Sequence, residues 1–349
     1  MVATAVYLCC TDHSHLKGVA AYLGETGNGP HYLLKEANRI LARHDMECEV
    51  KVGGVFDPSG GRLASKRVLR NLKLAQFKGL EDTLCSKVIH GVFYSQCRED
   101  EWDTDACNSW LVDGRLQSET EGLLVAAQDG VVPTRAHRAR VMKEPISPLC
   151  RVCSKMPETI GHLLSACDPL KWTCYKERHD RVLYQLVRAV SNHFELTLPK
   201  SLQWGLEGWS GVAVMENSKV KVTVDVSVPT DRELTERRPD LIVYDRSVKR
   251  ISILEVAVAW EPLIKERELE KRGKYLSLAR DLANQWPGWS TKVFPVVVGG
   301  LGSLCGLRSE LDGLGFLTRR DIDRLGMACQ FESLCSAARI LRQTLSIKD

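Results

Sequence analysis

The sequence is poor in aromatic residues and has no long apolar run. Phe, Trp and Tyr together make up 7% of its 349 residues. No stretch approaches the roughly 18 apolar residues that a membrane helix needs, so no membrane partner is expected. No secretory leader is expected either. "MVATAVYLCC" is apolar but short, lacks a basic opening and runs straight into "TDHSHLK". A strong charge of one sign is also missing. The net charge of +4 is too small to argue for nucleic acid by itself. Internal repeats and long low-complexity linkers are absent as well.

What is present is ordinary for a globular chain: 44% hydrophobic and 26% charged residues. The length suits two or three domains at roughly 100–200 residues each. The 13 cysteines are an odd number, and without a leader they read as thiols in a reducing compartment. Cys48, Cys85, Cys97, Cys107, Cys305, Cys329 and Cys335 stand alone and are expected to be small buried apolar residues.

Apolar residues at three- and four-residue spacing, Val68, Leu69, Leu72, Leu74, Phe77, Leu80, Leu84 and Val88, predict a helix after the glycine-rich "VGGVFDPSGG". "CREDEWDTDACNS" is an acidic break. Ser118 with Glu121 forms a capping-box pattern opening the helix "TEGLLVAAQ". A long helix is predicted over 172–196. From about 206 the period changes, and "SKVKVTVDVSV" alternates as a half-buried strand. "RRPDLIVYDRSVKRISILEVAVAW" reads as a β-hairpin. One charged amphipathic helix, "EPLIKERELEKRGKYLSLARDLANQW", then the short strand "KVFPVVVGG" complete an α/β unit. A last helix is expected over 319–345.

"CRVCSKMPETIGHLLSAC" sets Cys150, Cys153, His162 and Cys167 in the pattern C-x2-C-x8-H-x4-C. Two cysteines two apart form a tight knuckle, and a histidine and cysteine five apart close the other side. Four sulfur and nitrogen ligands suit a closed, structural Zn²⁺ site. Cys174 lies seven past the last ligand and reads as a spare. The competing reading is a chance grouping in a cysteine-rich chain.

The hairpin carries two awkward acids. Asp240 opens its first strand, and Glu255 sits inside the second between Leu254 and Val256. A carboxylate in an apolar strand costs several kcal/mol unless it is paired. Two carboxylates brought together by a hairpin are best tolerated around a cation, and oxygen ligands suit Mg²⁺ or Mn²⁺. Asp225 on the preceding strand is a candidate third ligand, and Lys271 or Lys274 could reach the same point. A metal and a lysine beside a phosphate suit hydrolysis by activated water. Alternatives stay open. Asp240 could pair with Arg237 or Arg238, and Glu255 with the "KEREL" helix. The basic run "TRAHRARVMK", with Arg135, Arg138 and Arg140, could equally be a solvated helix face.

"RRPDLIVYD", "ISILEVAVAWE", "EKRGKYLSL" and "FPVVVGGLG" together resemble the restriction-like endonuclease domain of site-specific non-LTR retrotransposon polyproteins. The same polyproteins carry a CCHC knuckle just upstream, followed by a Tyr-x-x-Arg-His-Asp stretch, matched here by Tyr175, Arg178, His179 and Asp180. "WLVDGRLQSETEGLLVAAQDGVVPTR" is similar to the family's segment before the knuckle, so the likeness spans about 85 to 305. It implies an α+β chain: a helical N-terminal half with a zinc knuckle, then a PD-(D/E)xK restriction-endonuclease-like α/β domain. The expected divisions are 1–108, a helical N-terminal region; 109–200, a helical linker with the knuckle; 201–305, the endonuclease domain; and 306–349, a C-terminal helix.

The resemblance further implies metal-dependent nicking of target DNA. Asp240 and Glu255 would bind the metal with Asp225 as a further acid. Lys274, or else Lys271, would be the catalytic lysine, since Ala257 stands where simpler restriction enzymes place it. Arg135, Arg138, Arg140, Arg178 and His179 would contact nucleic acid. Expected partners are target DNA, the element's RNA and a reverse transcriptase in trans, in the nucleus, with no small-molecule substrate. There is no Tyr-x-Asp-Asp polymerase motif, and "VAVAWEP" departs from the Pro-Gly-Asp common after this strand. The chain therefore looks like a carboxy-terminal fragment or the remains of an old insertion. Its alternative reading is an inactive nucleic-acid-binding remnant.

Overall fold

A computed structural model of the chain describes residues 2–3, 5–6, 31–51, 53–99, 102–203 and 211–346. Most of the "MVATAVYLCC" opening and the start of the 206 transition lie outside the described residues. The architecture is α+β and divides into two compact units, Met1–Lys87 and Val88–Asp349.

In the first unit, helix α1 (His31–Arg43) and helix α2 (Ser65–Cys85) pack with three short antiparallel strands, β1 (Glu49–Lys51), β2 (Gly54–Phe56) and β3 (Arg62–Leu63). This sheet departs from the all-helical expectation. Its strands are two or three residues long, too short for alternation to appear in the sequence. The glycine-rich loop is tied by Asp57, whose Oδ1 accepts from Ser59 and Gly61 N–H groups. Of the predicted apolar stripe on α2, only Val68 and Leu72 are buried; Leu74, Phe77 and Leu80 are exposed.

The second unit has one main core, to which Trp102, Cys107 and Trp110 contribute. Short turns at Thr104–Cys107 and Ser109–Asp113 follow helix α3 (Val92–Glu99). Helix α4 (Ser118–Gln128) is capped by Gln117, with no side-chain cap bond, so the predicted capping box is not formed. Helix α5 (Arg135–Arg140) is capped by the Thr134 hydroxyl, which accepts from the His137 N–H. Wide π-helical turns occupy 162–166 and 171–175, so the predicted long helix begins late, as α6 (Lys176–His193).

A five-stranded mixed sheet runs β4 (Ala213–Glu216), β5 (Val220–Val224), β6 (Leu241–Asp245), β7 (Arg250–Ala259) and β8 (Ser290–Gly299) in spatial order. The first four pair antiparallel and β7 pairs parallel with β8. The predicted hairpin is β6–β7, turned through an Asp245 side chain that accepts from the Ser247 N–H, with Lys249 left-handed at φ 52°. Pro295 sits on the edge strand β8, where a missing N–H is tolerated.

Both sheet faces are covered, which is why β5 is more buried than a half-solvated strand. Val222, Val243, Leu254 and Val256 face the main core with α6 residues Val182, Leu186 and Val190. Ile242, Ile251 and Ile253 share a second core with Leu278 and Leu282. The predicted single helix after β7 is two, α7 (Ile264–Lys274) and α8 (Leu276–Gln285), broken at Tyr275. Tyr275 is buried, and its hydroxyl donates to the Arg238 carbonyl at 2.8 Å, which turns the chain there. Helix α9 (Leu307–Asp312) packs on β8, and the long helix α10 (Arg319–Leu345) closes the unit against α6.

Candidate functional site

Two side-chain clusters flank the start of α6. The first is the knuckle. Cys150, Cys153, His162 and Cys167 place one ligand atom each within 4.8 Å of one another. Among the described residues this is the only His, Cys, Asp and Glu group of three or more drawn together in this way. The four could hold one metal ion. A tetrahedral zinc with bonds of about 2.3 Å to sulfur has S···S edges of roughly 3.8 Å. The Cys150 and Cys167 sulfurs are 3.9 Å apart, and the Cys153 sulfur is 3.3 Å from His162 Nε2. The donor set and its spacing therefore suit zinc.

The loop is built for this. A bridge between Leu149 and Pro157 and the left-handed Ser154, φ 57°, close the turn. Buried Glu158 accepts from the Arg151 N–H and guanidinium and from the Arg135 N–H, tying the knuckle to α5. N–H groups of Lys155 and Met156 hold the Cys153 thiol down at about 6, while burial pushes Cys167 up to about 12. Tyr175 accepts from the Cys167 N–H and donates to the Leu163 carbonyl at 2.8 Å. Cys174 stands apart, 3.9 Å from Gln343.

The second cluster lies at the open end of the hairpin. β6 and β7 pair Leu241 with Leu254, so the next step outward sets Asp240 opposite Glu255. The Asp240 N–H donates to Glu255 Oε2 at 3.3 Å. Both Lys271 and Lys274 place Nζ 2.9 Å from Glu255 Oε1. Two ammoniums on one oxygen explain how a strand accepts a carboxylate that is 2% exposed. Lys274 is held above its ordinary value. Burial lowers it, but contact with Tyr275 and Glu255 outweighs that.

Asp240 Oδ2 accepts from the Val256 N–H at 2.7 Å and lies 3.2 Å from His179 Nε2. Its Oδ1 accepts no hydrogen bond among the described residues. Burial raises the Asp240 carboxyl, but His179, the Val256 N–H and Lys271 together hold it below the usual carboxylate range. The other His179 nitrogen, Nδ1, is 3.2 Å from Asp180 Oδ1. Burial lowers His179, yet hydrogen bonds to Asp180 and Asp240 prevail and set it at about 9.

Asp225 also lies in this row, since its N–H donates to the Asp240 carbonyl at 2.9 Å. Its backbone, however, turns left-handed at φ 50° and ends β5. The side chain goes to Arg238, 2.8 Å away, and no contact draws it to Glu255 among the described residues. The alternation that suggested a third ligand stops one residue too early.

The expected nucleic-acid contacts separate. Arg140 is exposed and Arg135 half-buried. Arg138 is engaged by Glu144 at 2.8 Å. Arg178 is enclosed: its Nη2 donates to the Leu164 carbonyl at 2.7 Å, and Glu261 lies nearby. It holds α6 to the knuckle and does not face solvent. His179 points into the acid cluster. Spacing named Lys271 and Lys274 as alternatives, whereas both reach Glu255, and it gave Asp180 no role at the acids. The Arg-His-Asp triplet near the start of α6 was the one sequence signal for Asp180.

Compared with known proteins, the chain matches no protein family and no curated protein.

Proposed function

We propose that the second unit is a PD-(D/E)xK restriction-like nuclease fold joined to a zinc knuckle. In this reading the chain derives from the carboxy-terminal region of a site-specific non-LTR retrotransposon polyprotein and nicks DNA. The observation that carries it is the meeting of Asp240, Glu255, Lys271 and Lys274 at one point on the sheet end. The hard oxygens of Asp240 and Glu255 suit Mg²⁺ or Mn²⁺, which would supply Lewis-acid activation of water and phosphate. Lys274 or Lys271 would hold a phosphate oxygen or orient the attacking water, and a lysine that swings off Glu255 opens one side of that carboxylate while the other stays paired. Zn²⁺ at Cys150, Cys153, His162 and Cys167 would be structural. Arg135 and Arg140 would follow the nucleic-acid backbone, with DNA, element RNA and a reverse transcriptase in trans as partners in the nucleus.

One observation favours a second reading, a nucleic-acid-binding remnant without cleavage. Lys271, Lys274 and His179 already balance the charge of Asp240 and Glu255. Nicking of supercoiled plasmid separates the two. With Mg²⁺ the full chain is expected to nick, EDTA to stop it, and Asp240→Ala and Glu255→Ala each to lower the rate on the order of 100-fold or more. Cutting by both variants at the parent rate would sink the assignment of the site. Metal-independent binding with no nicking would leave the remnant.

A further inference from the structure

His179 belongs to α6, outside the hairpin and helix that supply the acids and lysines, yet it enters their cluster. Its ring sits between two carboxylates, Asp240 Oδ2 and Asp180 Oδ1, each 3.2 Å away. Each ring nitrogen therefore faces a carboxylate oxygen, and a proton on Nε2 is donated to Asp240. The surroundings hold the ring still. Lys176 grips Asp180 Oδ2 at 2.6 Å from one turn earlier on the same helix. The preceding residue, Arg178, is buried and fixed to the Leu164 carbonyl. Across the cluster the Val256 N–H donates to the same Asp240 oxygen that His179 reaches.

We propose that His179 is a positioning residue for Asp240: with the Val256 N–H it occupies Oδ2 and turns Oδ1 alone toward the cation. The inference rests on the nuclease reading and deepens it. A carboxylate free to rotate offers either oxygen or both to a cation. One pinned at Oδ2 offers a single oxygen at a fixed place, which sets both the affinity and the geometry of what binds there. Asp180 and Lys176 form the layer behind His179 that holds its other ring nitrogen. Outer partners of this kind typically change metal affinity or activity by roughly 10–100-fold when removed.

The test uses the full, zinc-loaded chain and four variants: His179→Ala, His179→Gln, Asp180→Ala and Asp240→Ala. Gln places an amide N–H where Nε2 stood and keeps the donor to Asp240. Equilibrium Mn²⁺ binding by calorimetry, with Asp240→Ala as blank, is measured beside the Mg²⁺ dependence of plasmid nicking and DNA binding without added Mg²⁺ or Mn²⁺. His179→Ala is expected to weaken Mn²⁺ roughly tenfold and to raise the Mg²⁺ needed for half-maximal nicking by a similar factor. His179→Gln recovers most of both, Asp180→Ala falls between, and DNA binding without added Mg²⁺ or Mn²⁺ stays unchanged.

Unaltered Mn²⁺ affinity in His179→Ala overturns the proposal. Lost DNA binding at unchanged Mn²⁺ affinity also overturns it and makes His179 a nucleic-acid contact. No recovery with Gln overturns the donor role. A parent chain that binds Mn²⁺ at Asp240 but does not nick sinks the nuclease reading and leaves the Mn²⁺ comparison to judge His179. A parent chain that binds no Mn²⁺ overturns both.

Discussion

Asp240 and Glu255 face each other across the open end of β6 and β7, and the backbone N–H of the first donates to the carboxylate of the second at 3.3 Å. Each acid is therefore anchored by the other's strand. The free charge is met from outside the hairpin, by Lys271 and Lys274 on Glu255 and by His179 on Asp240.

That shared oxygen makes the lysines interdependent. Lys271→Ala or Lys274→Ala alone leaves Glu255 one ammonium and is expected to cost about 1 kcal/mol of stability. The double variant leaves a buried carboxylate unpaired and should cost about 3–5 kcal/mol, more than the sum. Urea unfolding of the three variants checks this. Strict additivity would mean that only one lysine holds Glu255.

The knuckle should carry about one zinc per chain, measured by elemental analysis of purified protein. Cys150→Ser removes a buried ligand and is expected to lose that equivalent and lower the melting temperature. Cys174→Ser, whose sulfur lies outside the cluster, should keep the metal. Loss of zinc from both, or from neither, would contradict the ligand set.

The arginines give separate signatures. Arg140→Ala should reduce the slope of log affinity against log salt for DNA by about one. Arg138→Ala should change it less, because Glu144 already engages that guanidinium. Arg178→Ala should leave the slope alone and instead lower the melting temperature, since it empties a buried site and leaves the Leu164 carbonyl without its donor. A normal melt with a flattened slope in Arg178→Ala would place that residue on the DNA.

Glu261 offers a pH test. Burial pushes it up to about 7 from an ordinary 4.5, although the Leu301 N–H and Arg178 counter the rise. A carboxyl raised in the folded state binds more protons folded than unfolded between those values. Its contribution is full below pH 4.5 and falls as pH rises to about 7. Glu261→Gln should remove that decline, at most about 1.4 kcal/mol per pH unit. Denaturant midpoints of the two chains from pH 4 to 8 measure it. Parallel curves would mean that Glu261 is ionised throughout.

Much of this was legible in the chain itself. The hairpin showed as two apolar runs about a polar turn, the three-cysteine, one-histidine cluster as four donors at closing intervals, and the acid pair as charges where a strand should be apolar. The rest depends on relations that spacing does not carry. Asp225 keeps its place in the alternation but leaves the row through a left-handed backbone. Tyr275 breaks a helix whose pattern runs on, because its hydroxyl has a carbonyl to meet in another segment. Arg178 reads as a surface charge until Glu261 and the Leu164 carbonyl are seen around it.

The separations along the chain imply an order of assembly. Glu255 meets Asp240 and the two lysines across 15, 16 and 19 residues, whereas His179 reaches Asp240 across 61. Short loops close first, since the entropy of closure grows with length. The acid pair and its lysines can therefore form while the chain is still largely open, and the imidazole arrives only when α6 docks. Late arrival makes the His179 contact a marker of completed folding, and a refolding chain should regain its hairpin before it regains that contact.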